Sequence, residues 1–192
     1  MHDTLYRSLM GIAITLTIAW VGWTVYDSVI VEETPGNSSY LAGNNNFEDG
    51  FYQDALREYE AALDANPDHI HAKRGQARSL MQLGRNLEAL EVFDELIRLE
   101  PEFGATYANR GILNDRMGYF EAAARDYEQA VRLDPELADG PKWLTRFLRN
   151  QAERPPTIAD RARYIRQQLA KPESERVLRM PETDAAQRPY KL

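Results

Sequence analysis

The hydrophobic positions of the chain first form one continuous run. Residues 8–26 contain no charged side chain. A helix of about 20 apolar residues spans the ~30 Å hydrocarbon core of a bilayer, and Trp20 and Trp23 near one end suit the headgroup layer. The pattern therefore predicts a transmembrane helix over residues 9–31, preceded by a cytoplasmic N-terminus at residues 1–8.

A cleaved secretory signal also has a short charged start followed by an apolar run. This run is long for such a signal, and residues 26–33 after it are bulky and acidic, so an uncleaved anchor is favoured. Arg7 precedes the run, and no Lys or Arg follows it until Arg57. The positive-inside rule therefore predicts that the rest of the chain lies on the outer face, which is the periplasm in a Gram-negative bacterium.

The second hydrophobic pattern is a repeat of 34 residues, which follows a linker at residues 32–37. Four residue types return at this period in three consecutive copies. They are Gly50, Gly84 and Gly118; Ala55, Ala89 and Ala123; Tyr59, Phe93 and Tyr127; and Pro67, Pro101 and Pro135. Each position has a packing explanation. The glycine suits a turn, the alanine lets a second helix lie close to the first, the aromatic fills the next layer on the same face, and the proline ends the second helix.

The spacing Gly-x4-Ala-x3-aromatic-x7-Pro resembles the tetratricopeptide-repeat (TPR) family. The resemblance covers about residues 36–137 and implies an all-α fold. It predicts a solenoid of three repeats at residues 38–137, each made of two antiparallel helices, A and B. The first helix A, over residues 38–49, contains Gly43 and three asparagines, which are poor helix formers. We expect it to be the least stable helix.

The chain after the third repeat predicts a cap and a basic tail. Solenoids need a terminal cap with a polar outer face, and a capping helix within residues 138–150 is predicted to supply it, with Trp143 as a core plug. Residues 151–192 follow as a basic helix and an extended tail. Thr157 and Asp160 resemble an N-cap pair. A helix to about residue 170 is predicted from the stripe Ile158, Ala162, Ile165 and Leu169.

Charge is distributed unevenly within the overall −7. Residues 1–140 carry 11 basic and 24 acidic side chains, and residues 141–192 carry 12 and 6. The acidic body argues against general nucleic-acid binding. Two interpretations of the basic tail stay open: it neutralises the acidic body in the same or a neighbouring copy, or it docks on another anionic surface.

The sequence contains no motif for catalysis or metal binding. There is no cysteine, and the three histidines are His2, His69 and His71. Histidines two positions apart on a helix point apart, and nothing completes a metal set. Neither a phosphate-binding glycine loop nor a G-x-S-x-G sequence is present. We therefore expect no enzymatic activity, no cofactor and no metal.

The TPR resemblance also implies which residues line the concave groove. The A helices form this face, and the chain concentrates cations at the corresponding positions. The predicted partner-binding residues are Tyr40, Asn44, Arg74, Arg78, Arg116, Lys142, Arg146 and Arg149. TPR proteins that clamp a peptide carboxylate use Lys, Asn and Arg at the fifth and ninth positions of the repeats. Ala108 and Ile112 depart from that pattern in the third repeat. In the alternative interpretation, the arginines pair with acids of the same chain, such as Asp115 or Asp139, or with the chain's own tail.

Together these features predict a membrane-anchored TPR scaffold or adaptor that binds an acidic or C-terminal carboxylate segment of a partner protein. One form of this role is an accessory subunit of an envelope complex. The alternative is an assembly factor or chaperone-like holder of periplasmic or secreted clients. Stoichiometric co-purification with one complex favours the first role, and crosslinks to many clients favour the second.

Overall fold

The computed structural model describes residues 2–29, 34–140 and 155–180. Within these ranges the chain forms eight α-helices and no strand. The helices are α1 His2–Val29, α2 Asn37–Glu48, α3 Tyr52–Ala65, α4 Ile70–Gln82, α5 Asn86–Leu99, α6 Gly104–Met117, α7 Phe120–Leu133 and α8 Ile158–Leu169. Two short 3-10 helices lie at Pro135–Ala138 and Glu173–Glu175.

Helices α2 to α7 form three helical hairpins that stack in chain order, because each helix packs against the next one along the chain. Each A–B turn contains the predicted glycine, and all three glycines have a left-handed φ, between 74° and 85°. That conformation is unfavourable for residues with a Cβ. The predicted first helix A exists as α2 and begins after Gly36 without a side-chain cap.

The predicted repeat positions form the core. Ala55, Ala89 and Ala123 are completely buried, as are the three aromatic residues four positions later. Tyr59 lies against the backbones of two neighbouring A helices. A Cβ added to Gly43 or Gly75 would come within 2.8 Å or 2.4 Å of its ring. The 34-residue pattern therefore predicted the layers of the solenoid correctly.

Helix α1 differs from the others because its apolar side chains are not buried. All the described side chains of residues 6–24 are exposed, and they include Ile18, Trp20 and Trp23. Within the described residues, no helix combines the length and the apolar character that crossing a membrane requires. The predicted span over residues 9–31 is therefore not supported there.

Helix α8 packs against α7. Thr157 and Asp160 form a complete capping box: the Thr157 side chain accepts from the Asp160 backbone, and the Asp160 side chain accepts from the Thr157 backbone. Ile158, Ala162 and Ile165 are buried in the same core cluster as Ala123 and its neighbours. Most of the predicted capping segment, including Trp143, and the tail beyond residue 180 lie outside the described residues.

Candidate functional site

The first two A helices carry a cluster of polar and aromatic side chains, which we call the concave cluster. Its members are Tyr40, Asn44 and Phe47 from α2 and His71, Arg74 and Arg78 from α4. Arg74 and Arg78 are four positions apart on one helix, so they share a face one turn apart. The structure thus brings together four of the predicted groove residues, Tyr40, Asn44, Arg74 and Arg78.

The start of α4 is fixed by a histidine cap. His69 Nδ1 accepts a hydrogen bond from the Ala72 backbone N–H at 3.3 Å, which satisfies one of the free donors of the helix terminus. The Tyr40 ring packs on His69, with 4.9 Å between ring centroids, and lies 6.0 Å from His71. This stack connects the first turn of α4 to α2.

Arg74 is 4% exposed and is surrounded on several sides. Its guanidinium carbon lies 3.7 Å from the centroid of the Phe103 ring, and its Nη2 donates to Glu100 Oε2. His71 Nδ1 lies 3.4 Å from Nη1. Burial lowers the pKa of Arg74. Its Nε is buried without a hydrogen-bond partner.

Arg78 has a different environment, although it is only 8% exposed. Its guanidinium carbon lies 4.5 Å from the centroid of the Phe47 ring. In the described part of the chain, its Nε has no hydrogen-bond partner and no carboxylate forms an ion pair with it. A buried cation without a counter-charge is energetically unfavourable. The Tyr59 hydroxyl lies next to this guanidinium, but among the described residues Arg78 is the arginine of the concave cluster that lacks a carboxylate partner.

Tyr59 connects this cluster to the core. Its hydroxyl donates to Asn44 Oδ1 at 2.8 Å, so the amide of Asn44 is oriented by a buried residue. Burial raises the pKa of the Tyr59 phenol, although nearby Arg78 partly opposes the effect. Next to Arg74, the pKa of His71 is lowered by burial, by the Arg74 charge and by His69. The lowered pKa favours the neutral form of the His71 ring.

In the third repeat the chain's own C-terminal segment pairs with Asp115, the neighbour of the predicted groove residue Arg116. Arg161 of α8 donates through Nε and Nη2 to both carboxylate oxygens of Asp115, at 2.7 Å and 2.8 Å. Arg166 likewise donates to both oxygens of Glu128. These two contacts support the interpretation that the tail neutralises the acidic body of the same chain.

Arg116 follows Asp115 at the end of α6. Burial lowers the pKa of its guanidinium, whereas Tyr127 and Tyr52 act in the opposite direction. Its backbone carbonyl accepts a hydrogen bond of 3.0 Å from Arg179 Nη2. The remaining predicted groove residues, Lys142, Arg146 and Arg149, lie outside the described residues.

One further arginine cluster lies between the second and third repeats. Arg110 donates to Asp94 at 2.7 Å and to both oxygens of Asp126, and Asn114 also donates to Asp126 at 2.9 Å. Burial disfavours the charge of Arg110, but the two carboxylates outweigh it and raise the pKa. Because its donors are directed to carboxylates of the chain, Arg110 is a structural residue.

The sequence pattern did not identify the residues that neutralise or stack on the arginines. Glu100 and Phe103 lie at the junction between repeats 2 and 3, and Phe47 lies near the end of α2. Glu100 corresponds to Asn66 and Asp134 in the other repeats, and no single residue type recurs at that position. The TPR resemblance assigns Phe47 to the groove face, but it does not indicate the contact with Arg78. Among the described residues, no group of three His, Asp or Glu side chains is arranged to hold a metal ion.

Comparison with known proteins gives the following matches. Models described as tetratricopeptide repeat match residues 40–102 and 105–137, together half of the chain. Stress-induced-phosphoprotein 1 of Caenorhabditis elegans is 30% identical over 139 residues, which are 72% of this chain and 42% of that protein. Hsp70-Hsp90 organizing protein 3 of Arabidopsis thaliana is 28% identical over 118 residues, 60% of this chain and 20% of that protein. The chain thus spans less than half the length of either relative.

A solved structure with the same fold is the first TPR of Spaghetti (RPAP3) bound to the HSP90 peptide SRMEEVD. The TM-score is 0.57 at 21% identity, and the match covers 74% of this chain and 99% of that one. At this level of identity the similarity concerns the fold.

Proposed function

Because the chain belongs to the tetratricopeptide-repeat family, we propose that it is a protein-interaction scaffold that binds an acidic segment of a partner protein on its concave face. The buried guanidinium of Arg78, with no carboxylate partner in the described part of the chain, carries this proposal. A partner carboxylate would supply both the missing charge and charge-assisted hydrogen bonds.

The surroundings of Arg78 favour such a contact. Phe47 covers one face of the guanidinium, so Arg78 is less hydrated than a surface arginine. Electrostatic attraction is stronger where water is partly excluded. The peptide bound to the TPR domain of Spaghetti contains two Glu and one Asp, which is the chemistry that we propose for this chain. A free C-terminal carboxylate is one form that this acidic group can take.

The wider groove is part of the same proposal. Arg116, Lys142, Arg146 and Arg149 are predicted to extend the cationic surface beyond the first two repeats. Asn44 and Tyr40 would provide polar and aromatic contacts beside Arg78. The proposed role is binding, with no catalytic step.

An array of heptapeptides with zero to four Glu or Asp, each with a free or an amidated C-terminus, tests the proposal on the full chain. We expect acidic peptides to bind and neutral ones not to bind. Loss of a charge-assisted contact gives roughly a tenfold or greater rise in Kd, and we expect this rise for Arg78→Gln. Arg78→Lys keeps the charge but loses the planar guanidinium, so its Kd should lie between those of the wild type and Arg78→Gln.

Arg85→Gln is the matched control, because Arg85 is an exposed arginine that pairs with Glu88 in the α4–α5 turn. Its Kd should equal that of the wild type. Unfolding midpoints of all variants show whether a loss of binding reflects a loss of folding. The proposal fails if no acidic peptide binds, or if folded Arg78→Gln binds as tightly as the wild type.

We also propose that residues 9–31 anchor the chain to a membrane, with the N-terminus in the cytoplasm and the repeats on the outer, periplasmic face. The uncharged stretch at residues 8–26 and the exposure of the side chains at residues 8–24 support this. Exposed apolar side chains on a helix become more stable when lipid or protein covers them. Arg7 before the stretch, and no basic residue after it until Arg57, supports the orientation.

The absence of native cysteine allows a clean topology experiment. Ser38→Cys places a thiol in the first repeat, and Asp3→Cys places one before the apolar run. A membrane-impermeant maleimide added to intact cells should label position 38 and leave position 3 unlabelled until lysis. Release of the protein by alkaline carbonate would exclude the anchor, and the reverse labelling pattern would exclude the orientation.

Within the envelope, we propose the role of an accessory subunit of a protein complex. Crosslinking from native membranes, followed by purification, should recover one set of partners in fixed proportion. Many clients in substoichiometric amounts would instead indicate the chaperone-like holder.

A further inference from the structure

Arg74 and Arg78 lie one turn apart on α4, but among the described residues only Arg74 has a carboxylate partner. Glu100 Oε2 accepts a hydrogen bond from Arg74 Nη2 and forms an ion pair with it. Within the described ranges, no ion pair involves Arg78. The two guanidinium groups therefore differ in charge compensation, although they share a helix face.

Arg74 is enclosed so that an incoming anion would have to displace Glu100. Phe103 covers one face of the guanidinium, and His71 lies beside Nη1. Nη2 donates to the Glu100 carboxylate, and Nε is buried. Since Glu100 belongs to the same chain, its effective concentration at Arg74 is high, and a ligand carboxylate competes poorly with it.

Glu100 itself is not locked in place. Of its side chain, 39% is exposed, and it lines an open cavity of about 330 Å³ together with Lys73 and Glu95. Lys73 is itself paired with Glu95. Replacement of Glu100 would therefore remove the ion-pair partner of Arg74 alone, because Lys73 keeps its own partner, Glu95.

We infer that Glu100 determines the specificity of the concave face: it holds Arg74 in an internal ion pair, so that the site recognises one ligand carboxylate, at Arg78. This inference rests on the proposed function and goes beyond it, because it states how many carboxylates are recognised and which residue sets that number. A second carboxylate on the ligand adds little affinity in the wild type.

Glu100→Gln is the decisive variant. The amide has nearly the same size and can still accept from Arg74, but it carries no charge. Arg74 then becomes available to a second ligand carboxylate, and one charge-assisted contact corresponds to roughly a tenfold or greater gain in affinity. The ligands are two versions of the array heptapeptide that binds most tightly. Both are capped at the N- and C-terminus, and they carry one and two side-chain carboxylates.

Calorimetry on the full chain at about 0.15 M salt limits long-range charge effects. We expect the wild type to bind both peptides within twofold. Glu100→Gln should bind the two-carboxylate peptide about tenfold more tightly than the other, and Glu100→Gln with Arg74→Gln should lose this preference. Glu95→Gln is the matched control, because it makes the same chemical change beside Lys73, and it should behave as the wild type.

A wild type that already prefers two carboxylates by tenfold would overturn the inference, as would a folded Glu100→Gln variant with no preference. A preference that survives in the double variant would show that Arg74 is not its source and would also overturn it. If no acidic peptide of the array binds the wild type, the proposed function itself fails, which is a separate outcome. If array peptides bind but neither capped peptide does, the site recognises the terminal carboxylate and the inference is overturned.

Discussion

Arg161 on α8 forms a bidentate ion pair with Asp115 on α6, and only 2% of each side chain is exposed. The Tyr127 hydroxyl donates to the same carboxylate at 3.2 Å, and Arg161 Nη2 also donates to the Leu178 carbonyl at 3.0 Å. One arginine thus connects the third repeat, α8 and the segment after it. We call this contact the clasp.

Loss of one partner of the clasp should be strongly destabilising. Asp115→Asn removes the carboxylate with which Arg161 forms its buried ion pair, and breaking a buried ion pair in this way costs about 3–5 kcal/mol. Urea unfolding of the variant measures this loss. The control is Arg163→Gln on the same helix, where the pair with Asp160 is exposed and the expected change is about 0–1 kcal/mol. Equal effects of the two variants would show that the clasp is not important for stability.

Gly75→Ala should destabilise the fold, although alanine is the better helix former. Its Cβ would lie 2.4 Å from the Tyr59 ring, and overpacking of this kind costs about 1–3 kcal/mol. Gln76→Ala, at the next position of α4, should change the free energy of unfolding by less. Tyr59→Leu removes the ring, so the effects of Gly75→Ala and Tyr59→Leu should not be additive. Simple additivity would contradict the contact.

Stability should fall as the pH drops below about 6.5 because of His71. Burial, Arg74 and His69 lower the pKa of His71 in the folded chain, so the unfolded chain binds the proton more readily. This loss of stability is absent above the pKa of His71 in the unfolded chain, and it is complete below the pKa of His71 in the folded chain. The groups that face the ring are Tyr40, His69 and Arg74.

An NMR titration of the His71 ring measures its pKa directly. Urea unfolding between pH 7.5 and 5.5 should show a smaller loss of stability for His71→Gln than for the wild type. A ring that titrates at or above pH 6.5 in the folded chain would contradict this assignment, as would identical pH profiles of the two proteins.

Glu128 should contribute the opposite type of pH dependence. The hydrogen bond from Arg166 lowers the pKa of this carboxyl below its ordinary 4.5. Its stabilisation is present above pH 4.5 and is lost as the pH falls through the folded pKa. Since both side chains are partly exposed, Glu128→Gln should lower the free energy of unfolding at pH 7 by less than about 1 kcal/mol. The difference from the wild type should disappear as the pH falls through the folded pKa of Glu128, and it should shrink in high salt. A difference independent of pH would exclude this ion pair as its origin.

The solenoid could be predicted from the sequence because its contacts are local and periodic. The Ala55 and Tyr59 positions pack within their own hairpin or against the next one, so a single spacing rule locates them in all three repeats. The left-handed turn glycines and the capping box of Thr157 are likewise short-range signals. The structure agrees with each of these predictions.

The state of the groove arginines could not be predicted from the same pattern. Periodicity placed Arg74 and Arg78 on one face, but it contained no information on which of them Glu100 neutralises. The partners of the clasp are 46 positions apart, and no repeat relates them. A helix face follows from spacing alone, whereas the charge state of a site depends on side chains from several distant segments.

The clasp also has a consequence for the order in which the molecule assembles. Neighbouring repeats can fold as soon as each hairpin is complete, because their contacts span short stretches of sequence. Asp115 must wait for Arg161, which is synthesised 46 residues later. Until then the contact between Asp115 and Arg161 is missing, and the surface of α7 that α8 covers is open. A nascent chain stalled before residue 158 would therefore expose an apolar surface that chaperones bind.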